Sequence, residues 1–269
     1  MIKNKRKLRP FQKKVCDLVL QGKNVILQAP TGSGKTQAAM EPFVRNLKTQ
    51  GMKLPLNCIY ATPLRVLSSQ FYQEFAALVE NIDKEQGTDY VRSYKQLNKR
   101  AVSIQTGDQP YDSQFEALIT YCTIDQLLAS FLGVPYSVGR SRANINVGAV
   151  LGSYLILDEF HLYPLLRENE SCFGARTTTL AMLSLLKGTT PFILMTATFS
   201  TTLLTQLASL LDAEIVQVTD DELPLIEQGR QRLFEVVDAP MSAEAILSRH
   251  TDCSLVICNT VLRAQQRYW

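Results

Sequence analysis

The sequence predicts an α/β fold, a mostly parallel sheet doubly wound with helices on both faces, and two short stretches carry that prediction. In residues 23–36, KNVILQAPTGSGKT, the apolar run Val25, Ile26, Leu27 meets a loop of small residues ending in Gly32-Ser33-Gly34-Lys35-Thr36. In residues 153–161, SYLILDEFH, the apolar run Tyr154 to Leu157 ends in the acidic pair Asp158-Glu159. Both place polar residues directly after a short apolar segment, as expected where ligands bind at the carboxyl ends of buried parallel strands.

The first stretch reads as a strand feeding a phosphate-binding loop. Ala29, Pro30 and Thr31 open the loop, with Ala29 standing where the G-x-x-x-x-G-K-[ST] pattern has its first glycine. Gly32, Ser33 and Gly34 allow successive backbone N–H groups to face one concavity, and the following helix adds its positive N-terminus. Lys35 can reach the β- and γ-phosphates, and Thr36 can hold Mg²⁺. A glycine-containing turn before an ordinary helix is the alternative, but strand, loop, Lys-Thr and helix appear here in the order phosphate binding requires.

Composition sets wide bounds. A chain of 269 residues with 46% hydrophobic content suffices for one large domain or one and a half smaller ones. A formal charge of +3 does not require a nucleic-acid partner, and the basic run Lys3, Lys5, Arg6, Lys7, Arg9 also suits a solvated tail. The six cysteines form no C-x-x-C pair and several lie in apolar stretches, which suits reduced thiols in a cytoplasmic protein better than a disulfide framework or a metal site. No apolar run reaches a membrane-spanning length, and Met1-Ile2-Lys3 is not followed by a signal-peptide core, so no membrane partner is expected.

Taken in order, Leu8 to Gln12 precede an amphipathic helix with Val15, Leu18 and Val19 inward. Arg9 and Gln12, just upstream of the phosphate loop, can address the edge of adenine, since Gln12 offers both donor and acceptor; a surface helix start is the other reading. Residues 55–62 form a second strand, Pro63 begins a helix running to about Glu80, and the polar residues 81–100 form an exposed loop or insertion. Strands are expected at 101–105 and 117–120, followed by Thr106-Gly107-Asp108 and Thr123-Ile124-Asp125. Residues 133–150 read as a glycine-rich loop whose charges are Arg140 and Arg142, suited to a phosphate backbone or simply to water.

At the end of the strand 154–157, Asp158 is placed to hold a nucleotide's Mg²⁺ and Glu159 to orient or activate the attacking water, although an isolated Asp-Glu there also suits a helix cap. His161 adjoins the pair. A helix over about 168–186 leads to the strand 191–195 and then to Thr196-Ala197-Thr198, whose hydroxyls can bond the acidic motif, while Thr198 or Ser200 can also cap the next helix.

In this order, Gly32 to Thr36, Asp158-Glu159-Phe160-His161 and Thr196-Ala197-Thr198 resemble motifs I, II and III of superfamily 2 DExH-type helicases. Arg9 to Gln12 resembles the adenine-reading Q motif, and Ala61-Thr62-Pro63-Leu64-Arg65 resembles motif Ia. More narrowly, Thr123 to Leu127, Leu157 to Tyr163, and Cys258 to Val261 with Ala264-Gln265 are similar to the CRISPR-associated helicase of type I systems. The resemblance implies a P-loop NTPase with RecA-like lobes that uses ATP and Mg²⁺ to unwind target DNA, recruited by a crRNA-guided surveillance complex. It implies Lys35 and Thr36 on phosphate and Mg²⁺, Asp158, Glu159 and His161 in hydrolysis, and Thr196 and Thr198 in coupling. Arg65, Thr106, Gly107 and Thr123 would contact single-stranded DNA, with RNA an alternative.

Two departures from that family shape further expectations. The chain has two histidines, His161 and His250, too few for an HD nuclease, so that nuclease is expected to be absent or on a separate chain. Motifs V and VI, with their arginine finger, are not in this sequence, so the chain alone is expected to turn ATP over poorly. The expected organisation is a first RecA-like lobe over 1–218, a linker over 219–240 and the beginning of a second lobe over 241–269. A helix at 243–249, a strand at 255–258 and a helix at 264–268 are expected in that last part.

Overall fold

The structure is a computed structural model that describes residues 8–49, 53–65, 68–69, 71–73, 101–163, 174–219, 221–223, 242–250, 256–258, 260, 262 and 265. The expected insertion at 81–100 lies outside these residues. The chain divides into two compact units, Met1–Ile226 and Glu227–Trp269.

The first unit holds a seven-stranded sheet in the order β3-β4-β2-β5-β6-β1-β7. Its strands are β1 (Asn24–Gln28), β2 (Asn57–Thr62), β3 (Val102–Gln105), β4 (Ile119–Thr123), β5 (Ser153–Leu157), β6 (Phe192–Thr196) and β7 (Ala213–Gln217). All six strand pairings are parallel. Parallel strands need crossovers, and after α1 (Pro10–Leu20), which precedes the sheet, helices supply them: α2 (Lys35–Lys48), α3 (Ile124–Phe131), α4 (Ala143–Leu151), α5 (Ala175–Leu186) and α6 (Thr201–Leu211).

The strand sequences explain why both faces are covered. β1, β2, β5 and β6 are nearly continuous apolar runs, and alternate residues fall into two separate cores. Val25, Leu27, Tyr60, Ile156 and Met195 pack under α1 and α2 with Phe11, Val15 and Phe43. Ile26, Ile59, Leu155, Leu157 and Leu194 pack on the opposite face with Leu127, Leu183 and Leu207 of α3, α5 and α6. Full burial of each such side chain contributes roughly 1.5–3 kcal/mol, which fixes the central strands and hence the positions of their ends. The buried Tyr154 adds a directional tie by donating from its hydroxyl to the Ala39 carbonyl of α2, at 3.0 Å.

Several expectations need correction. Pro10 to Gln12 form the first turn of α1 rather than preceding it, because proline is favoured at the first helical position, where its missing N–H costs nothing. Leu18 is only partly buried on that helix. The glycine-rich loop ends early, since residues from Ala143 form α4 after a short turn at Arg140–Arg142. There Asn146 and Val150 are buried, and Gly148 is tolerated within the helix. β7 was not anticipated: as an edge strand it places Ile215 and Val216 between the polar Glu214 and Gln217 and lacks a longer apolar run.

In the second unit, α7 (Ala243–Ser248) is capped by Ser242, whose hydroxyl accepts from the Ala245 N–H at 3.2 Å. Val256, Ile257 and Cys258 are not in a strand, and no strand pairing is present among the described residues of this unit to provide a ladder. The helix expected at 264–268 falls mostly outside the described residues.

Candidate active site

Sheet order brings the two sequence motifs together. β6 lies between β1 and β5, so the loop after β1 and the acidic pair after β5 flank the end of β6. Register places Gln28 beside Thr196, and the Ala29 N–H continues the ladder by donating to the Thr196 carbonyl at 3.2 Å. The Asp158 N–H donates to the Ala61 carbonyl of β2 at 2.9 Å, so the acidic motif starts at a fixed height on the carboxyl edge.

The loop has the backbone that anion binding needs. Gly32 and Gly34 adopt φ of +78° and +94°, a region that costs an L side chain roughly 1–2 kcal/mol. A Cβ at Gly34 would stand 2.7 Å from Gln12 Nε2, so the glycine also makes room for the side chain above it. Pro30, Thr31, Gly32 and Ser33 form the turn, closed by the Ser33 N–H donating to the Pro30 carbonyl at 3.2 Å. The Ser33 hydroxyl is buried and unpartnered among the described residues. α2 begins at Lys35 with no side-chain cap, which leaves its first N–H groups without a side-chain acceptor beside the loop.

Lys35 is buried and turned back on its own loop. Its Nζ donates to the Ala29 carbonyl at 3.1 Å and the Pro30 carbonyl at 3.4 Å, and lies 3.6 Å from Glu159 Oε1. The ammonium thus spans the two motifs from the side of the phosphate position. Arg9 Nη1 donates to the Ser33 carbonyl, and Gln12 Nε2 to the Gly34 carbonyl at 3.2 Å, so both residues expected to read adenine sit on the phosphate loop.

Asp158 is 3% exposed, and burial raises its carboxyl from 3.8 to about 6, against the hydrogen bond from Tyr60 that favours the anion. Tyr60 Oη donates to Asp158 Oδ2 at 2.7 Å and lies 3.4 Å from Thr36 Oγ1. One hydroxyl therefore stands between the two side chains assigned to the metal. The Glu159 N–H donates to Asp158 Oδ1 at 2.8 Å. Glu159 itself is left-handed at φ +47°, a strained position for a non-glycine residue that turns its carboxylate toward Lys35. Its Oε2 lies 3.4 Å from His161 Nδ1.

The same imidazole nitrogen meets the third motif. His161 Nδ1 is 3.4 Å from both Thr196 Oγ1 and the Ala197 N–H. As an acceptor it receives a hydrogen bond from the Ala197 N–H; as an N–H it turns to Glu159. Thr196 is thus in the site, whereas Thr198 is exposed, and Ser200 caps α6 by accepting from the Leu203 N–H. The Arg176 guanidinium of α5 donates to the His161 carbonyl and covers the Phe160 ring at 5.8 Å. Sequence reasoning missed Tyr60 and Arg176. A tyrosine inside an otherwise aliphatic strand was the one signal available for the former.

The residues expected to touch nucleic acid form a looser group. Arg65 Nη1 bonds both carboxylate oxygens of Asp108, at 2.9 and 2.8 Å, and a Cβ on Gly107 would lie 3.2 Å from its Nη2. Thr106 is buried and accepts from the Gln109 N–H at 3.1 Å. Thr123 ends β4 beside Thr62. Arg142 is exposed just before α4, and the loop ahead of it is tied to the end of β3 by Gln105 Nε2 donating to Ser137 Oγ at 2.7 Å. Arg140 lies in the same short turn.

Residues 9–206 match the DEAD/DEAH box helicase family. The chain is 27% identical over 154 residues to the ATP-dependent RNA helicase DBP10 of Saccharomyces cerevisiae, covering 57% of this chain and 13% of that one. It is 34% identical over 110 residues to the ATP-dependent helicase Lhr-Core of Sulfolobus acidocaldarius, covering 39% of this chain and 12% of the relative. A crystal structure of the DUF1998 helicase MrfA bound to DNA superposes with a TM-score of 0.56 at 17% identity, over 81% of this chain and 28% of that chain, a likeness of fold. The curated relatives are matched over small parts of their length, from 7% to 14%.

Proposed function

Because the chain belongs to the DEAD/DEAH box helicase family, we propose that it binds ATP on the loop after β1 and hydrolyses it to drive movement along nucleic acid. The observation that carries this reading is the pairing of Lys35 with Glu159 at 3.6 Å, beside a loop that holds Gly32 and Gly34 at positive φ and leads into the N-terminus of α2, which has no side-chain cap. Phosphoryl transfer asks for positioning and charge neutralisation, and these residues supply both.

The donor set suits Mg²⁺. Thr36 and Asp158 offer two oxygens bridged by Tyr60, few enough to leave room for phosphate oxygens and water. Mg²⁺ would neutralise charge on the phosphates. On nucleotide binding, Lys35 exchanges the Ala29 and Pro30 carbonyls for phosphate oxygens. Glu159, released from Lys35, orients the attacking water and receives its proton. The His161 nitrogen then has the choice between Glu159 and Ala197, which links the acidic motif to Thr196. Arg9 and Gln12 hold the base side of the nucleotide.

Lys35→Ala is expected to weaken ATP binding, and Glu159→Gln to keep binding while lowering turnover about 100-fold, the effect of losing about 3 kcal/mol of transition-state stabilisation. Unchanged turnover in Glu159→Gln would refute the role given to that carboxylate.

Within this activity we propose the narrower role of the helicase in a type I CRISPR antiviral defence system, with single-stranded DNA, a crRNA-guided surveillance complex and a separate HD nuclease chain as partners. Supporting it are the runs Thr123 to Leu127 and Leu157 to Tyr163, which lie at the ends of β4 and β5 beside the site. A DExH helicase of repair or RNA metabolism is the second reading, favoured by the similarity to a relative named as an RNA helicase. Binding of the protein to a guide-loaded surveillance complex separates the two.

A further inference from the structure

α1 caps itself only in part, through Gln12 Oε1, which accepts from the Arg9 N–H. Its N-cap residue, Arg9, carries a guanidinium that only donates, and Pro10 has no N–H, so Phe11 provides the first open donor of the helix. That donor is met from the far end of the first unit. Glu222 Oε1 accepts from the Phe11 N–H at 2.9 Å, across 211 residues of sequence. Glu222 is 8% exposed, and its Oε2 accepts from the Thr219 N–H and hydroxyl at 3.2 and 3.3 Å. The stretch carrying it is itself anchored beside the phosphate loop, because the Val218 N–H donates to the Gln28 carbonyl at the end of β1.

The capped turn is the one that touches the nucleotide site. Gln12 Oε1 accepts from the Arg9 N–H at 2.9 Å, which fixes the two side chains relative to each other, and both then donate to loop carbonyls, Arg9 to Ser33 and Gln12 to Gly34. A carboxylate at a helix N-terminus interacts favourably with the helix dipole as well as with the open N–H. It also leaves Gln12 free of capping the turn alone.

We propose that Glu222 is a positioning residue of the nucleotide site: by capping α1 from the segment that follows β7, it holds Arg9 and Gln12 at the height where they select adenine. This rests on the reading that Gln12 addresses the base. Glu222 bonds the Phe11 N–H and Thr219 and acts through the first turn of α1, so its effect falls on recognition of the base.

Initial rates of hydrolysis with ATP and with GTP test this in the wild-type protein and in Glu222→Ala, Glu222→Gln, Thr219→Val and Gln12→Ala. Glu222→Ala should raise KM for ATP about 5- to 10-fold, the effect of losing a cap of about 1 kcal/mol or slightly more, with kcat nearly unchanged and KM for GTP little affected. Glu222→Gln, which keeps an acceptor for the Phe11 N–H, should recover most of the ATP preference. Thr219→Val, which keeps the carboxylate and removes one of its hydrogen bonds, should give a smaller shift in the same direction, and it provides the measurement if Glu222→Ala does not fold. Glu222→Ala added to Gln12→Ala should change KM for ATP no further, because the two act on one contact.

Equal rises in KM for ATP and GTP, or additive effects in the double variant, would overturn the proposal at the cap. Unchanged nucleotide preference in Gln12→Ala would overturn it at its premise, that Gln12 reads the base.

Discussion

Replacing Asp158 by Asn should stabilise the protein while abolishing its activity, and the pH dependence of the gain should identify the cause. Asp158 is 3% exposed, and burial lifts its carboxyl from 3.8 to about 6. The folded state therefore holds a proton between those values that the unfolded state has released, so stability falls as pH rises through this window. Above about pH 6 the full cost of the buried charge is present, about 3 kcal/mol. Asn carries no charge, but its single oxygen cannot accept from both the Tyr60 hydroxyl and the Glu159 N–H, which together satisfy the aspartate. Losing one of these bonds costs roughly 1 kcal/mol. The net expectation is a gain of about 2 kcal/mol at pH 8, shrinking as pH falls and turning into a small loss near pH 4. Urea denaturation of both proteins across pH 4 to 8, without nucleotide and with a chelator present, measures it. A variant that is less stable than wild type at pH 8, or a difference that does not change with pH, would refute the reasoning.

Tyr60→Phe keeps the ring in the core but removes the hydroxyl between Thr36 and Asp158; a hydrogen bond to a charged group contributes roughly 1.5–3 kcal/mol, so the Mg²⁺ concentration giving half-maximal ATPase should rise about 10-fold or more. Mg²⁺ titration at fixed ATP reads this, and an unchanged midpoint would remove Tyr60 from the site. Gly34→Ala forces a side chain into φ +94° and onto Gln12, so it should destabilise the protein by about 1–2 kcal/mol and weaken ATP binding, measured by denaturation and calorimetry. Asp108→Asn releases the Arg65 guanidinium from an exposed pair that contributes under about 1 kcal/mol to stability. It should tighten single-strand binding with little change in melting temperature, whereas Arg65→Ala should weaken binding and lower the salt slope by about 0.7.

The shape of the loop and the place of the acidic pair at a strand end were legible because they are written locally. Glycines at fixed offsets, Lys-Thr opening a helix and carboxylates directly after an apolar run specify their own backbone within a dozen residues. The same holds for the central strands, whose apolar runs admit burial on both faces and little else. Where the local signal was weak the reading failed. The stretch from Ala143 to Leu151 has glycine at 148 and no marked apolar face, yet forms a helix because Asn146 and Val150 find buried partners; β7 is a short mixed strand that exists because β1 offers it an edge.

What no local pattern states is which strand lies beside which. β6 between β1 and β5 is what brings Lys35 to Glu159 and His161 to Thr196, and pairing between strands distant in sequence is decided by packing of the whole sheet. The sequence by itself therefore determined the candidate groups and the strand ends that carry them. The tertiary structure alone decided their supports, Tyr60 between Thr36 and Asp158, Arg176 on the His161 carbonyl and Glu222 at the start of α1. Each support is a single polar group meeting a partner 15 to 211 residues away, and a contact of that kind leaves no periodicity or composition behind to be read.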